Sequence, residues 1–559
     1  MDSGIGEGWE GRAARSVDRF VLWLEKDRLP ILGIFLFVVA LAFVRDLAEY
    51  FLLDQPFVTT PHPWIFSIAH HIAFYLVVYL GLVFLVSAFT RRGVRRCANY
   101  VTMFYWIVVL PPFLDHYIGG LNQNYAYFSI DDFLNVILRF SGEAFHIGQA
   151  LEVVVVLFAI FAYPIWTQRA DLFTLRGRTL TVVQIGFLVF FTFLFMFIMA
   201  TPGLFLPVGN VGGLPQFPFF DLTKYHQYHL FLYAYYLVAG IVLTLALIYF
   251  SLRSHFRNIL HSMRLPQSLF FGAIVATGVV MGWRGSLTLN LATKIFEAPY
   301  YVNLPFAGLS VLAAVLAWQV TTIWNDLSDV DTDEPTRKRV LASGILDRWT
   351  LINISMVLMV VSVFTAFLLS LQQALIMLLI LFLGYLYSFK PVRFKDHSLS
   401  PLLIGLGTFL AFLFGFLAPY SVINLVPVPG GSIPVVTGEV LSPTIGQEAL
   451  FFGMIMFLGL VIGSMVTDVD GFQEDAKGKV KTIYTRMGLE KGARLVALLV
   501  FLVSLTTFAL FRTLPDYIIF PVLGAVAALS LVRWKSSRPV LLLALLGFLY
   551  GTLRYFGLF

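Results

Sequence analysis

The sequence has one cysteine, Cys97, in 559 residues, so no internal disulfide framework can hold the chain together. Charge is scarce as well. Asp, Glu, Lys and Arg make up 13% of residues, against about 25% in ordinary soluble domains. Apolar residues fill the space, at 59% with a mean hydropathy of +0.83. A water-soluble fold of this size is excluded by that composition, which belongs to an all-α polytopic membrane protein. The net charge of +6 and pI near 9.2 then point to basic cytoplasmic loops rather than to a nucleic-acid partner.

The N-terminus, residues 1–29, mixes acids with bases and has no small-residue cleavage site, so it does not read as a signal peptide. Arg15, Arg19, Lys26 and Arg28 alternate with Phe20, Val21, Trp23 and Leu24, as in an amphipathic helix lying on the inner membrane surface. Apolar segments long enough to cross a bilayer follow near 31–53, 65–89, 98–116, 145–165, 180–200 and 229–251. A second set lies near 268–283, 304–325, 350–370, 372–389, 400–423, 448–467, 493–512, 516–533 and 538–556. The basic link from Arg253 to Gln267, ending in Leu265-Pro266, separates a six-span domain (30–264) from a nine-span domain (265–559).

Loop charges support that count of about fifteen spans. With the N-terminus inside, Arg91, Arg92, Arg95, Arg96, Arg253, Arg257, Arg337, Lys338, Lys390, Lys477 and Lys535 all fall on the inner side. The outer side keeps only scattered cations such as Arg139, Lys224, Arg284 and Lys294. One missed span would invert everything after it, and nothing inverts. The expectation is an integral protein of the cell (inner) membrane, with N-terminus and polar loops of the second half cytoplasmic.

Three of those inner loops carry chemistry. Directly after an apolar run, Asn325, Asp326, Asp329 and Asp333 follow at helical spacing, which puts three carboxylates on one face. Like charges at a hydrocarbon boundary repel, and a hard divalent cation such as Mg²⁺ removes the cost. A second loop, Tyr387-Ser388-Phe389-Lys390-Pro391-Val392-Arg393-Phe394-Lys395, sets three cations and a phenol together, suited to phosphate oxygens. A third, Thr467 to Gly478, holds Asp468, Asp470, Glu474 and Asp475, with Lys477 and Lys481 beside them.

These loops resemble the UbiA superfamily of intramembrane prenyltransferases over roughly residues 265–559. The family's N-D-x-x-D-x-x-x-D signature is filled by Asn325, Asp326, Asp329 and Asp333. Its Arg-Pro-Leu-x-x-Gly continuation is matched by Arg339 to Gly344, with Val340 in place of proline. The segment from Tyr387 to Lys395 looks like its Tyr-Ser-x-x-Pro-x-Arg-x-Lys loop, and Thr482 to Gly488 has the look of the stretch after its second acidic motif. That D-x-x-x-D motif is best matched by Asp470 and Glu474, and Asp468 with Asp475 forms a competing face.

The resemblance implies Mg²⁺-dependent transfer of a prenyl group from an isoprenoid diphosphate to a hydrophobic acceptor, most often an aromatic quinone precursor. Asn325, Asp326, Asp329, Asp333, Asp470 and Glu474 would hold the metal and diphosphate. Arg339, Tyr387, Lys390, Arg393, Lys395, Lys477 and Lys481 would bind the substrate. A glycerophosphate or sugar-phosphate acceptor, and a catalytically silent isoprenoid-binding or transport homologue, are the alternatives. Transport fits less well, because the ionisable groups of the second half gather at helix ends on one side rather than at mid-membrane.

The six-span half resembles no family by its motifs, but its outer helix ends are rich in histidine: His62, His70, His71, His116, His146, His226 and His229. Glu143 with His146, and His226 with His229, stand at i and i+3, a spacing that suits shared ligation of a transition metal. An interfacial belt of amphipathic side chains is the competing reading.

Overall fold

A computed structural model describes residues 9–52, 63–90, 92–118, 134, 147–167, 175–202, 209–211, 214–216, 225–286, 304–329, 341, 343–418, 447–473, 476 and 481–555. Each of the expected apolar segments is helical. Among the described residues, thirteen helices are long and apolar enough to cross a membrane, and Ser400–Phe416 is apolar but shorter. The last helix, Ser537–Tyr555, carries Arg538 and Arg554 near its ends. The protein is an integral membrane protein. The only strands among the described residues are Gly209–Val211 and Leu214–Gln216, paired antiparallel. The chain divides into two compact units, the first made of described residues up to Arg257 and the second of those from Asn258 onward.

In the first unit, α1 (Trp9–Leu24) turns Val21 and Leu24 into the core and leaves Phe20, Leu22 and Trp23 exposed. The spanning helices are α2 (Ile31–Leu52), α3 (Pro63–Phe89), α4 (Val94–Ile118), α5 (Ile147–Thr167), α6 (Leu175–Ala200) and α7 (Tyr225–Ser251). Over Tyr105–Val109, α4 tightens to a 3₁₀ turn. The core is built on Val38, Ala42, Tyr75, Val83, Val86, Cys97 and Leu188. The most extensive helix pair in this unit is α3 with α7.

The second unit comprises α8 (Leu265–Ser286), α9 (Leu304–Ser328), α10 (Arg348–Leu369), α11 (Leu371–Ser388), α12 (Ser400–Phe416), α13 (Gln447–Thr467), α14 (Leu489–Thr506), α15 (Leu514–Trp534) and α16 (Ser537–Tyr555). Helix α9 is central and packs against α8, α10 and α11. Apolar side chains gain little by leaving lipid for protein, so close packing and interhelical hydrogen bonds hold such bundles together. Both are present here. Gln373 on α11 donates to Ser310 Oγ on α9 at 3.2 Å and to the Phe414 carbonyl on α12 at 3.0 Å. Ser362 on α10 donates to the Ala313 carbonyl of α9 at 2.9 Å.

Helices α8 and α12 approach so closely that a Cβ on Gly278 would collide with the Phe412 carbonyl, and one on Gly415 with the Val275 carbonyl. Both obstacles are backbone, so neither can swing aside. Gly415→Ala should therefore cost about 1–3 kcal/mol, the usual range for overpacking. The check is a lower thermal unfolding temperature in detergent, and an unchanged one would mean that the two helices are not in backbone contact.

Candidate active site

Helix α9 runs past the apolar stretch to Ser328, so its last turn carries Asn325 and Asp326, with Asp329 just beyond its end. The Asp329 amide donates to the Asp326 carbonyl at 3.4 Å and the Ser328 hydroxyl to the Asn325 carbonyl at 2.8 Å. These bonds keep the two aspartates one turn apart on one face. Both side chains are mostly shielded from solvent, at 16% and 15% exposure, which makes an uncompensated charge costly there.

Compensation comes from two other segments. Arg264, immediately before α8, donates from Nη2 to Asp326 Oδ1 at 2.8 Å. Arg393, in the loop after α11, donates from Nη2 to Asp329 Oδ1 at 2.9 Å, and its Nε lies 3.1 Å from Asp396. Lys395 Nζ also bonds Asp329, and reaches Ser328 Oγ at 2.9 Å and Asn325 Oδ1 at 3.2 Å. Arg264 and Arg393 both have left-handed backbones, at φ of 47° and 39°. Such a conformation costs a non-glycine residue about 1–2 kcal/mol, and the charge-assisted bonds that each arginine makes offset it. Burial pushes the Lys395 ammonium below its ordinary value, and the hydrogen bond to Asp329 works in the opposite direction.

The second acidic stretch begins where α13 ends at Thr467. The Asp468 amide donates to the Ser464 carbonyl at 3.3 Å, continuing the helical path by a residue. Tyr387, near the end of α11, is close enough to both acidic stretches to feel their charge. Its phenol lies beside Ser400 and within the fields of Asp329, Asp468 and Arg264. Tyr484, in the short helix Ile483–Met487, is fully buried, and its hydroxyl has no hydrogen-bond partner. Burial first, then the charges of Asp468 and Asp470, push that phenol upward.

Asp470 is engaged differently. Its carboxylate accepts from the Ser537 amide at 3.1 Å and from the Ser537 hydroxyl, so it caps the start of α16. It also lines a cavity of about 500 Å³ with Gln473, Lys535 and Arg538.

The structure thus brings together Asn325, Asp326, Asp329, Arg393 and Lys395, with Tyr387 and Asp468 adjoining. Lys390 and Lys481 are exposed beside them in sequence, without a bond to the aspartates. Asp333, Arg339, Glu474, Asp475 and Lys477 lie outside the described residues, as do Glu143, His146 and His62. His226 is in the first turn of α7, and His229 pairs with His70. Among the described residues, no group of three or more His, Cys, Asp and Glu side chains is gathered as a metal cage. Sequence reasoning missed Arg264, Ser328, Tyr484 and Ser537. Arg264 stands 62 residues from its partner and carries no local pattern beyond being one of many inner-loop cations.

The donor set at the α9 end is all oxygen: two carboxylates, an amide and a hydroxyl. That set fits Mg²⁺, which prefers one or two carboxylates and keeps its remaining positions for water and phosphate. Here three cationic side chains occupy the two carboxylates, so a divalent cation would release arginine and lysine for an anionic ligand. The second unit is thus an apolar helical bundle with acids and cations gathered at one helix end.

Residues 286–551 match the UbiA prenyltransferase family. That stretch, a little under half of the chain and with its described residues all in the second unit, is a UbiA-family prenyltransferase region. No curated protein matches it. Among solved structures, a digeranylgeranylglyceryl phosphate synthase is 16% identical over 52% of this chain and 92% of its own, with a TM-score of 0.36. A UbiA homologue from Archaeoglobus fulgidus is 17% identical over 54% of this chain and 98% of its own, with a TM-score of 0.36. The same homologue bound to GPP and Mg²⁺ is 16% identical over 53% and 98%, with a TM-score of 0.37.

The cap geometry carries its own test. Asp470→Ala removes the acceptor at the start of α16 and should destabilise the protein by about 0.5–2 kcal/mol, read as a lower unfolding temperature. Full stability would mean that Ser537 does not depend on Asp470.

Proposed function

We propose that the second unit, residues 265–559, transfers a prenyl group from an isoprenoid diphosphate to a hydrophobic acceptor inside the membrane, with an aromatic quinone precursor as the acceptor class. The observation that carries this reading is the clustering of Arg264, Arg393 and Lys395 on Asp326 and Asp329 at the end of an apolar helix, with Asp468 near enough for its charge to act, like that of Asp329, on Tyr387. Asn325, Asp326, Asp329 and Asp468, with Asp333 by its place in the motif, are the residues for Mg²⁺. When bound, the metal neutralises charge on the departing diphosphate.

The chain's own groups do the rest. Arg393 and Lys395 turn from Asp329 to the phosphate oxygens, where their fixed positive charge meets the charge that develops as the carbon–oxygen bond breaks. Arg264 does the same from the α8 side. The allylic cation left behind lies among apolar helix faces, which exclude the water that would quench it. The isoprenoid tail lies in the same apolar surroundings, and the acceptor attacks the cation there. On the bias of Lys and Arg toward inner loops, this reading has the mouth on the cytoplasmic side. Within the second acidic stretch, Asp468 is assigned to the site and Asp470 to the α16 cap.

Two experiments test this. Asp329→Ala should remove transfer activity, with a barrier increase of about 3–4 kcal/mol or more, while the protein still inserts and folds. Diphosphate release from an allylic diphosphate, assayed with Mg²⁺ and after its removal by chelation, is the measurement. Activity within threefold of wild type would end the assignment. In the same assay, Asp468→Asn should lower turnover far more than Asp470→Asn, whose main effect falls on stability. The reverse ranking would return the metal to Asp470 and Glu474.

A further inference from the structure

A cavity of about 500 Å³ in the second unit shares no residue with the ion pairs at the end of α9. It lies between the segment that follows α13, the first residue of α14 and the turn that joins α15 to α16. Val469, Phe472 and Leu489 form its apolar side, and Gln473, Lys535 and Arg538 its polar side. The volume falls within the usual range for a small-molecule site, about 300–1,000 Å³.

Two cations stand against one carboxylate in this lining. The carboxylate, Asp470, is already committed: Ser537 donates its amide to Oδ1 at 3.1 Å and its hydroxyl to Oδ2. Lys535 Nζ bonds Glu490 in the first turn of α14, and Arg494 approaches the same carboxylate at 3.8 Å. The Lys535 and Glu490 side chains are 36% and 64% exposed, so their pairing is weak and exchangeable. Lys535 also holds a left-handed backbone, with φ of 49°, in the tight turn that brings it and Arg538 to one space. Arg538 makes no ion pair or hydrogen bond among the described residues. The polar side therefore offers positive charge to an anion.

The level of the cavity selects the kind of anion. Helix α13 ends at Thr467, α14 begins at Leu489, α15 ends at Trp534 and α16 begins at Ser537. The lining residues thus lie within a few positions of four apolar helix ends, at the depth of lipid phosphates. Trp534 is 60% exposed there, as expected of an indole at a membrane–water boundary. Leu541 and Leu542 are exposed on α16 beyond Arg538, where acyl chains can cover them. A free phosphate would meet only the cations and gain nothing from Val469, Phe472 and Leu489. A ligand with a phosphate and an apolar body uses both sides.

We propose that this cavity holds the phosphate headgroup of an anionic lipid from the surrounding membrane. Lys535 exchanges Glu490 for the phosphate, and the Arg538 guanidinium supplies paired donors to it. The Gln473 amide adds a neutral donor, and the glycerol end of the lipid rests on Phe472 and Leu489. Basic pockets at the ends of membrane helices recognise lipid headgroups through this combination. The bound lipid ties the segment after α13 to the turn before α16, and no step of prenyl transfer passes through it.

The test uses the full chain in nanodiscs of mixed phosphatidylglycerol and phosphatidylcholine, with native mass spectrometry of the lipids that stay bound on release. Wild type should retain phosphatidylglycerol in preference to phosphatidylcholine. Arg538→Gln and Lys535→Gly should each lower that preference about fivefold, the worth of one cation at a lipid surface. Glycine accepts the left-handed backbone at position 535, so the turn survives loss of the ammonium. Glu490→Gln should raise the preference, because Lys535 loses its competing partner, whereas a merely structural Lys535–Glu490 pair predicts no rise. In detergent, added phosphatidylglycerol should raise the unfolding temperature of wild type more than that of Arg538→Gln. Unchanged lipid preference in both cation variants would overturn the proposal. So would a stabilisation by inorganic diphosphate, added without Mg²⁺, that Arg538→Gln removes, since the cavity would then belong to a free anion. None of these readouts involves prenyl transfer, so failure here leaves the active-site assignment standing, and the converse holds.

Discussion

Everything at the candidate active site depends on how two carboxylates are tolerated at the end of a membrane helix. Asp326 and Asp329 are nearly shielded from water, so each requires an opposite charge within bonding distance. Arg264, Arg393 and Lys395 supply it, and they come from the segments before α8 and after α11. The same ion pairs therefore tie two other parts of the chain to the end of α9. They also leave the site electrically prepared for exchange. A divalent cation on the acids would free these three cationic groups for an anion.

The interior of the second unit is built for that arrangement. Glycines let α8 and α12 touch backbone to backbone, and Gln373 and Ser362 spend their hydrogen-bonding capacity on neighbouring helices rather than on lipid. Helix α9 is held on several sides, so the direction in which its last turn points is fixed by packing and not by the loop that follows. The first unit solves the same problem of buried charge with a different set of groups. Arg45 of α2 pairs with Glu49 and Glu152, and beside Asp46 the imidazole of His71 takes the place of the lysine and arginine used around Asp329.

The second acidic stretch shows where reading a sequence reaches its limit. Asp468 and Asp470 are two residues apart and so point to different sides of a helical turn. Spacing relative to Gly478 favours Asp470. In the folded chain that carboxylate meets the start of α16, while the charge of Asp468, like that of Asp329, reaches Tyr387. The choice depends on a helix whose first residue lies 67 positions further along the chain.

The sequence by itself determined the membrane setting, the positions of the spanning helices and the identity of the first acidic face. These follow from local properties: the length of an apolar run, the period of a helix and the distribution of Lys and Arg between loops. Only the tertiary structure decided which cation meets which acid, that Asp470 meets the start of α16, and that His229 pairs with His70 across two helices. Each of those pairings spans many tens of residues. An ion pair or a shared proton is specified by distance in space, and no periodicity in the chain encodes that distance.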